Sequence, residues 1–331
     1  MDNKKMDNRV WLAWETHQRN RSMSAELSAR LFELNTKSSR LARYLINSLK
    51  TLVFLNNERP SLIFVQNPSI VLTIIAIMFG KYAGIPVIVD AHNAGIYPFE
   101  GKIKCITDIA TYLLRKADFV IVTNEYLASY INKKGIKSIV LPDPIPKMHG
   151  AERISLQGKS NILFICSFAD DEPYQEVIKA SGKIRKDINI YITGNSSKKG
   201  IYKEHVPDNV ILTGFMPEEE FNSMLHSVDI IMDLTTRDNC LVCGAYEATA
   251  VGKPMILSDS KIIKEYFYKG AIYTDNSSDD IAAKVLEAIK KAEEMRRDIN
   301  DLKKELEDRW TQSKHEIENL IENMMKSKTN H

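Results

Sequence analysis

Residues 61–90 read SLIFVQNPSIVLTIIAIMFGKYAGIPVIVD. A short run, Ser61–Val65, stops at Gln66-Asn67-Pro68. A helix-length apolar segment, Ser69–Tyr82, follows, and then a second short run, Pro86–Asp90. Brief Val- and Ile-rich runs bounded by turn residues read as buried strands, and the longer segment between them reads as a helix. Strand, crossover helix and strand make a parallel pair, and a parallel sheet carries helices on both faces. The apolar stretch within the helix, Ile70–Phe79, is too short to span a bilayer.

The alternation extends both ways. Upstream, Arg9–Trp14 reads as a strand, Arg21–Leu34 as a helix leading into a short second strand, and Ser39–Asn56 as a helix. Downstream come a helix at Lys102–Lys116, a strand at Asp118–Thr123, a helix at Glu125–Lys134 and a strand near Ser138–Leu141. Residues 143–159 are proline-rich and lack periodicity, which predicts an interdomain linker. Strands resume at Asn161–Cys166, Ile188–Thr193, Asn209–Thr213, Asp229–Leu234, Pro254–Ser258 and Ala271–Thr274. The helix after Phe215 has Glu218, Glu219 and Glu220 in its first turn, where negative charge meets the helix dipole. The expected organisation is an α/β protein with Rossmann-like domains at 1–142 and 160–308. A terminal helix, 309–331, is expected to pack back on the first domain. Two open parallel sheets in tandem predict a ligand cleft at their strand carboxyl ends.

Length and composition agree. The chain has 331 residues, 44% of them apolar and 27% charged, enough for two packed cores. Residues 1–150 hold 20 basic and 12 acidic side chains, whereas 151–331 hold 25 and 31. A basic first half suits an anionic partner such as a phospholipid surface or a phosphorylated acceptor, and chance variation over solvated faces explains it equally. Four cysteines make no disulfide framework, and the N-terminus has no apolar signal core. The expected location is cytoplasmic, or peripheral on the cytosolic face of a membrane. The basic and apolar segment Ser39–Lys50 either touches that membrane or packs on its own sheet. No Walker loop and no Gly-x-Gly-x-x-Gly run is present, which argues against an NTPase or a dehydrogenase. Cys240-Leu-Val-Cys243 lacks both a thioredoxin-like context and a second pair of zinc ligands. No nucleic-acid partner, cofactor or essential metal is expected.

The stretch 229–259, DIIMDLTTRDNCLVCGAYEATAVGKPMILSD, resembles the donor-site signature of family-4-type glycosyltransferases (glycosyl transferases group 1), enzymes of the GT-B fold. Glu247 matches the second Glu of that signature, and Ala248, Gly252, Lys253 and Pro254 follow in register. Asn209–Phe215 matches the strand and turn that precede it. The resemblance implies a nucleoside-diphosphate-sugar donor, with the pyrophosphate at the start of a helix near Leu241. An open helix N-terminus is a ready anion site. Gly214, Asn239, Leu241, Val242, Cys243 and Gly244 are then donor contacts, and Glu247 receives the ribose hydroxyls. There are two departures. Asn239 stands where relatives carry the first Glu, and could instead cap the helix. The turn Ser167–Pro173 is acidic where relatives carry an Arg and a Lys. Ser167 remains a phosphate contact, and Lys198, Lys199 or Arg237 is a candidate for the missing charge.

Gln66-Asn-Pro-Ser and Val87-Ile-Val-Asp-Ala-His-Asn93 bear a fainter likeness to the dolichol-linked chitobiose β-mannosyltransferases. That likeness implies His92 as a catalytic residue at a strand's carboxyl end and Asn93 as an acceptor contact. The loop after the first strand supplies His17, Arg19 and Arg21 as acceptor contacts, and Glu15 as a base if the reaction inverts configuration. The implied function is transfer of a sugar to an acceptor hydroxyl of a glycan or lipid-linked acceptor, in surface glycan or glycolipid assembly of bacterial or archaeal type. The alternatives are a non-catalytic homologue binding a sugar or a partner protein, and a nucleotide-sugar epimerase.

Overall fold

A computed structural model describes residues 8–67, 69–148 and 150–329; Pro68 and His149, both in segments singled out above, lie outside the described residues. Its contacts divide the chain into two units. One contains the residues up to Pro144 together with those from Arg309 onward, and the other is Ile145–Asp308.

The first unit begins with β1 (Arg9–Ala13), α1 (Gln18–Glu26), β2 (Ala29–Glu33), α2 (Arg40–Glu58), β3 (Leu62–Asn67) and α3 (Ile70–Ala83). It continues with β4 (Val87–Ala91), α4 (Asn93–Ile96), α5 (Lys104–Leu114), β5 (Phe119–Val122), α6 (Glu125–Asn132) and β6 (Ser138–Val140). The strands form one parallel sheet in the order β2-β1-β3-β4-β5-β6. Successive side chains of a strand point to opposite faces, and both faces here are apolar. Val10, Leu12, Ile63, Val65, Val87 and Val89 fill one layer, while Trp11, Leu62, Phe64, Ile88 and Ile121 fill the other. The expected helix over Arg21–Leu34 is shorter than its periodicity suggests. Ser28, at φ 51°, breaks the chain after α1, and 29–33 pair with β1 as a strand.

The second unit holds β7 (Ser160–Phe164), α7 (Tyr174–Ser181), β8 (Ile188–Thr193), β9 (Val210–Gly214), α8 (Glu218–Ser227) and β10 (Ile230–Asp233). It continues with α9 (Cys243–Val251), β11 (Met255–Ser258), α10 (Lys261–Tyr266), β12 (Ala271–Thr274) and α11 (Ser278–Thr329). Its sheet is again parallel, in the order β12-β11-β10-β7-β8-β9. Ile299, Leu302 and Leu306 of α11 pack in this unit, whereas Trp310, Ile317 and Ile321 join the Trp11 layer of the first. The Trp310 indole N–H donates to the Pro142 carbonyl at 3.0 Å.

Residues 145–159, most of the stretch 143–159 expected as an interdomain linker, fall within the second unit. Ile145 is buried in its core with Met148 and Leu156 against it, and Gln157 N–H donates to the Tyr191 hydroxyl. Their apolar side chains gain more from burial than a proline-rich backbone gains from solvation.

Candidate functional site

Open parallel sheets bind ligands outside the strand carboxyl ends, where the strand order reverses. In the second unit that point lies between β7 and β10. The loop after β7 meets the loop after β10 there, and acidic side chains organise the meeting. Asp171 accepts from the Thr235 hydroxyl at 3.0 Å, its carbonyl accepts from Thr236 N–H at 2.7 Å, and its carboxylate lies 3.3 Å from Arg237. Asp170 pairs with Lys199 at 2.6 Å. Glu172 folds back on its own loop: Oε2 accepts from Ser167 N–H at 2.9 Å and Ala169 N–H at 2.8 Å, and Oε1 accepts from the Ser167 hydroxyl at 3.0 Å. Phe168, buried at φ 62°, gives the loop the curvature that turns these amides to one point. The loop therefore does collect anion-binding N–H groups, and the chain's own carboxylate sits on them. Lys199 and Arg237, two cations expected to meet a diphosphate, are each paired with an aspartate.

Helix α9 starts at Cys243 with Val242 as its N-cap. Asn239 lies three residues further back, so it does not cap the helix; it is half-buried in the preceding loop with Leu241. Gly244 is needed for close approach, but on its inner side. Its N–H donates to Asp233 Oδ2 at 2.7 Å, and a Cβ there would lie 2.6 Å from that oxygen and 2.7 Å from Ile165. Burial raises the Asp233 carboxyl well above its usual range, the Gly244 bond opposes this, and the charges of Glu247, Glu172 and Asp171 add to the rise. Glu247 projects from α9 one turn later, and burial pushes its carboxyl up to about 7. Burial thus favours the neutral form of both carboxyls, which opposes the build-up of negative charge at the site. Among the described residues, no group of three or more His, Cys, Asp or Glu is placed to hold a metal ion. Lys253, of the Gly-Lys-Pro run, caps the end of α8: its ammonium donates to the His226 and Val228 carbonyls at 2.9 and 2.6 Å. Burial lowers it to about 8. Gly214, at φ 74°, ends edge strand β9, two strands away from β7.

In the first unit the order reverses between β1 and β3, and the residues expected after β1 and β4 meet there. Asn20 is the fully buried hub. It accepts from the Trp11 indole at 3.1 Å and donates to the Glu15 carbonyl at 3.1 Å and the Gln66 side chain at 3.0 Å. Gln66 in turn donates to Glu15 Oε1 at 3.1 Å, which aims that exposed carboxylate. His17 is the N-cap of α1, its Nδ1 accepting from Arg19 N–H at 3.2 Å. Its ring meets that of His92 edge-on at 5.7 Å. Burial and then the neighbouring His92 lower the His17 pKa, outweighing Asp143 and Glu15. His92 precedes α4, with Nε2 3.3 Å from Asp90 Oδ2, and Asn93 opens that short helix half-buried.

Arg19 is placed differently from the expectation that it meets an acceptor. It is 2% exposed, and its guanidinium is spent on Asp90 (2.7 Å), Asp143 (2.7 Å) and the Leu141 carbonyl (3.0 Å). Burial alone would raise the Asp90 carboxyl, but Arg19 and His92 hold it well below the usual carboxylate range. Arg19 is a brace beneath the site. Arg21, on the same helix, remains half exposed, 4.0 Å from Glu33.

Glu172, Asp233, Asn20 and Asp143 carry no motif that would single them out in the sequence. Asp233 left one signal, a carboxylate closing an otherwise apolar strand.

Residues 151–305, just under half of the chain, match the family model described as glycosyl transferases group 1. Among solved structures, sucrose-phosphate synthase from Thermosynechococcus elongatus is similar with a TM-score of 0.76 at 11% identity, covering 97% of this chain and all of that one. HepE of Anabaena in complex with UDP and glucose gives 0.70 at 13% identity over 95% and 91% of the two chains. A glycosyltransferase from Rickettsia africae gives 0.64 at 10% identity over 96% and 90%. At such identities the likeness is one of fold, and the fold of two tandem parallel sheets is GT-B. No curated protein matches the chain by sequence.

Proposed function

We propose, from the premise that residues 151–305 form a group 1 glycosyltransferase domain, that this chain moves a sugar from a nucleoside-diphosphate sugar to an acceptor hydroxyl. The acceptor's oxygen attacks the anomeric carbon. The bond from that carbon to the diphosphate breaks, and the nucleoside diphosphate leaves with the electron pair. The acceptor's proton passes to His92, whose ring the nearby Asp90 carboxylate orients, or to Glu15. The second unit holds the donor, with Glu247 accepting from the ribose hydroxyls and Ser167, Cys243 and Gly244 near the diphosphate. The first unit holds the acceptor, near His17, Arg21 and Asn93. HepE of Anabaena, similar in fold, holds UDP and glucose, which favours a uridine nucleotide. No cofactor or metal is required in this scheme. Surface glycan or glycolipid assembly at the cytosolic face of a membrane fits the basic first unit.

The family match over 151–305 carries this reading, and the position of Glu247 on α9 supports it. A second reading, a non-catalytic homologue, draws on one observation: Glu172 sits on the loop amides while Asp170 and Asp171 hold Lys199 and Arg237. Calorimetric titration with UDP, GDP and ADP separates the two. Binding of one nucleotide, lost in Glu247→Ala, is the expected result; no binding by any of them overturns the transferase reading and leaves the second.

A further inference from the structure

Helix α2 is folded with its apolar side outward. Leu41, Leu45 and Leu49 are 78, 64 and 65% exposed, and Leu52 and Val53 are also exposed. Positions 41, 45, 49 and 52 recur at the helical repeat, so these side chains form one stripe. The side that meets the sheet is largely polar. Asn47 accepts from the Thr36 hydroxyl at 2.8 Å, and Thr51 accepts from the Trp14 indole at 3.0 Å. Phe54, stacked on Phe32 at 3.9 Å, and buried Leu55 complete the anchorage. A soluble helix buries its leucines and exposes its amides; from Leu41 to Val53, α2 does the reverse. A contiguous apolar surface of this kind marks a place where something docks.

Charge narrows the occupant. From Leu34 to Asn57 there is no Asp or Glu, whereas Lys37, Arg40, Arg43 and Lys50 are all exposed. A helix with an apolar stripe beside exclusively basic side chains lies in the interface of an anionic bilayer, leucines among the acyl chains and cations at the headgroups. Among the described residues no helix is long and apolar enough to cross a membrane, so attachment would be from one side.

We infer that α2 is a docking face for an anionic lipid surface, with Leu41, Leu45 and Leu49 inserted and Arg40, Arg43 and Lys50 at the phosphates. The inference deepens the peripheral-membrane part of the proposed function by naming the surface. Its test needs neither donor nor acceptor, so it can fail while the transferase reading stands.

The test is co-flotation of the full chain with phosphatidylcholine vesicles, with and without phosphatidylglycerol. Binding is expected only with phosphatidylglycerol and is expected to weaken in high salt. Leu45→Glu with Leu49→Glu, and separately Arg43→Glu with Lys50→Glu, should each reduce the bound fraction about tenfold or more. Both pairs are exposed, so the thermal unfolding midpoint should stay near that of the parent and serve as the folding control. Absence of binding to phosphatidylglycerol vesicles, or binding that neither double variant reduces, overturns the inference. Self-association in analytical ultracentrifugation that the leucine variant abolishes also overturns it, because the face then belongs to a second copy.

Discussion

Replacing Glu247 by Gln is expected to stabilise the ligand-free protein at pH 8 while weakening its hold on a nucleoside diphosphate. Burial lifts this carboxyl from 4.5 to about 7. A group with a raised folded value binds its proton more tightly when folded. Its contribution is therefore complete below pH 4.5 and is lost as the pH rises through 7. Each pH step in that gap is worth about 1.4 kcal/mol, so the ionised Glu247 costs the fold about 2–3 kcal/mol at pH 8, after a discount for its partial exposure. Glutamine carries the same shape without the charge. Urea denaturation of both proteins at pH 5 and pH 8 reads the difference: most of the gain should appear at pH 8 and little at pH 5. Asp233, also raised, leaves the variant a residual slope of the same sign. In calorimetry the variant should bind nucleoside diphosphate roughly tenfold to a hundredfold more weakly, the worth of a charge-assisted hydrogen bond to the ribose. A variant no more stable than the parent at pH 8, or equally stabilised at both pH values, refutes the claim that burial strains this carboxylate.

Two further outcomes are expected. Arg19→Ala leaves Asp90 and Asp143 facing one another without their shared cation, and should cost about 3–5 kcal/mol in equilibrium unfolding; a loss below about 1 kcal/mol would mean the brace is dispensable. Glu172→Gln weakens the internal anion on Ser167 and Ala169, and should raise nucleoside diphosphate affinity about three- to tenfold by calorimetry, whereas unchanged or poorer binding would show that Glu172 does not compete for those amides.

The alternation of strands and helices was legible because strands buried on both faces are written as continuous apolar runs. Element edges were less so. Nothing in Ser-Met-Ser-Ala-Glu-Leu-Ser, residues 22–28, signals that a serine will adopt positive φ and end α1. Prolines in 143–159 suggested a linker, and the deciding fact, that Ile145, Met148 and Leu156 find apolar partners, is tertiary. The expectation for Glu247 can be drawn from sequence because its motif is local. The buried role of Arg19 is not legible because its partners, Asp90 and Asp143, lie 71 and 124 residues away. The anions of the loop after β7 pose the opposite difficulty. Their abundance was plain in sequence, but that each already has a partner follows from loop geometry no spacing rule describes.

The layer that buries Trp11, Met23, Leu27, Leu62 and Phe64 is closed by Trp310, Ile317 and Ile321. Domains ordinarily finish folding in the order of synthesis, at about 5–20 residues per second. Here Ile145–Asp308 is one uninterrupted stretch that can complete itself as it emerges, whereas the strands made before it wait for helix residues made after it. For roughly 10–30 s at those rates the nascent first sheet presents an uncovered apolar face, so this half of the chain, although translated earlier, completes its core later.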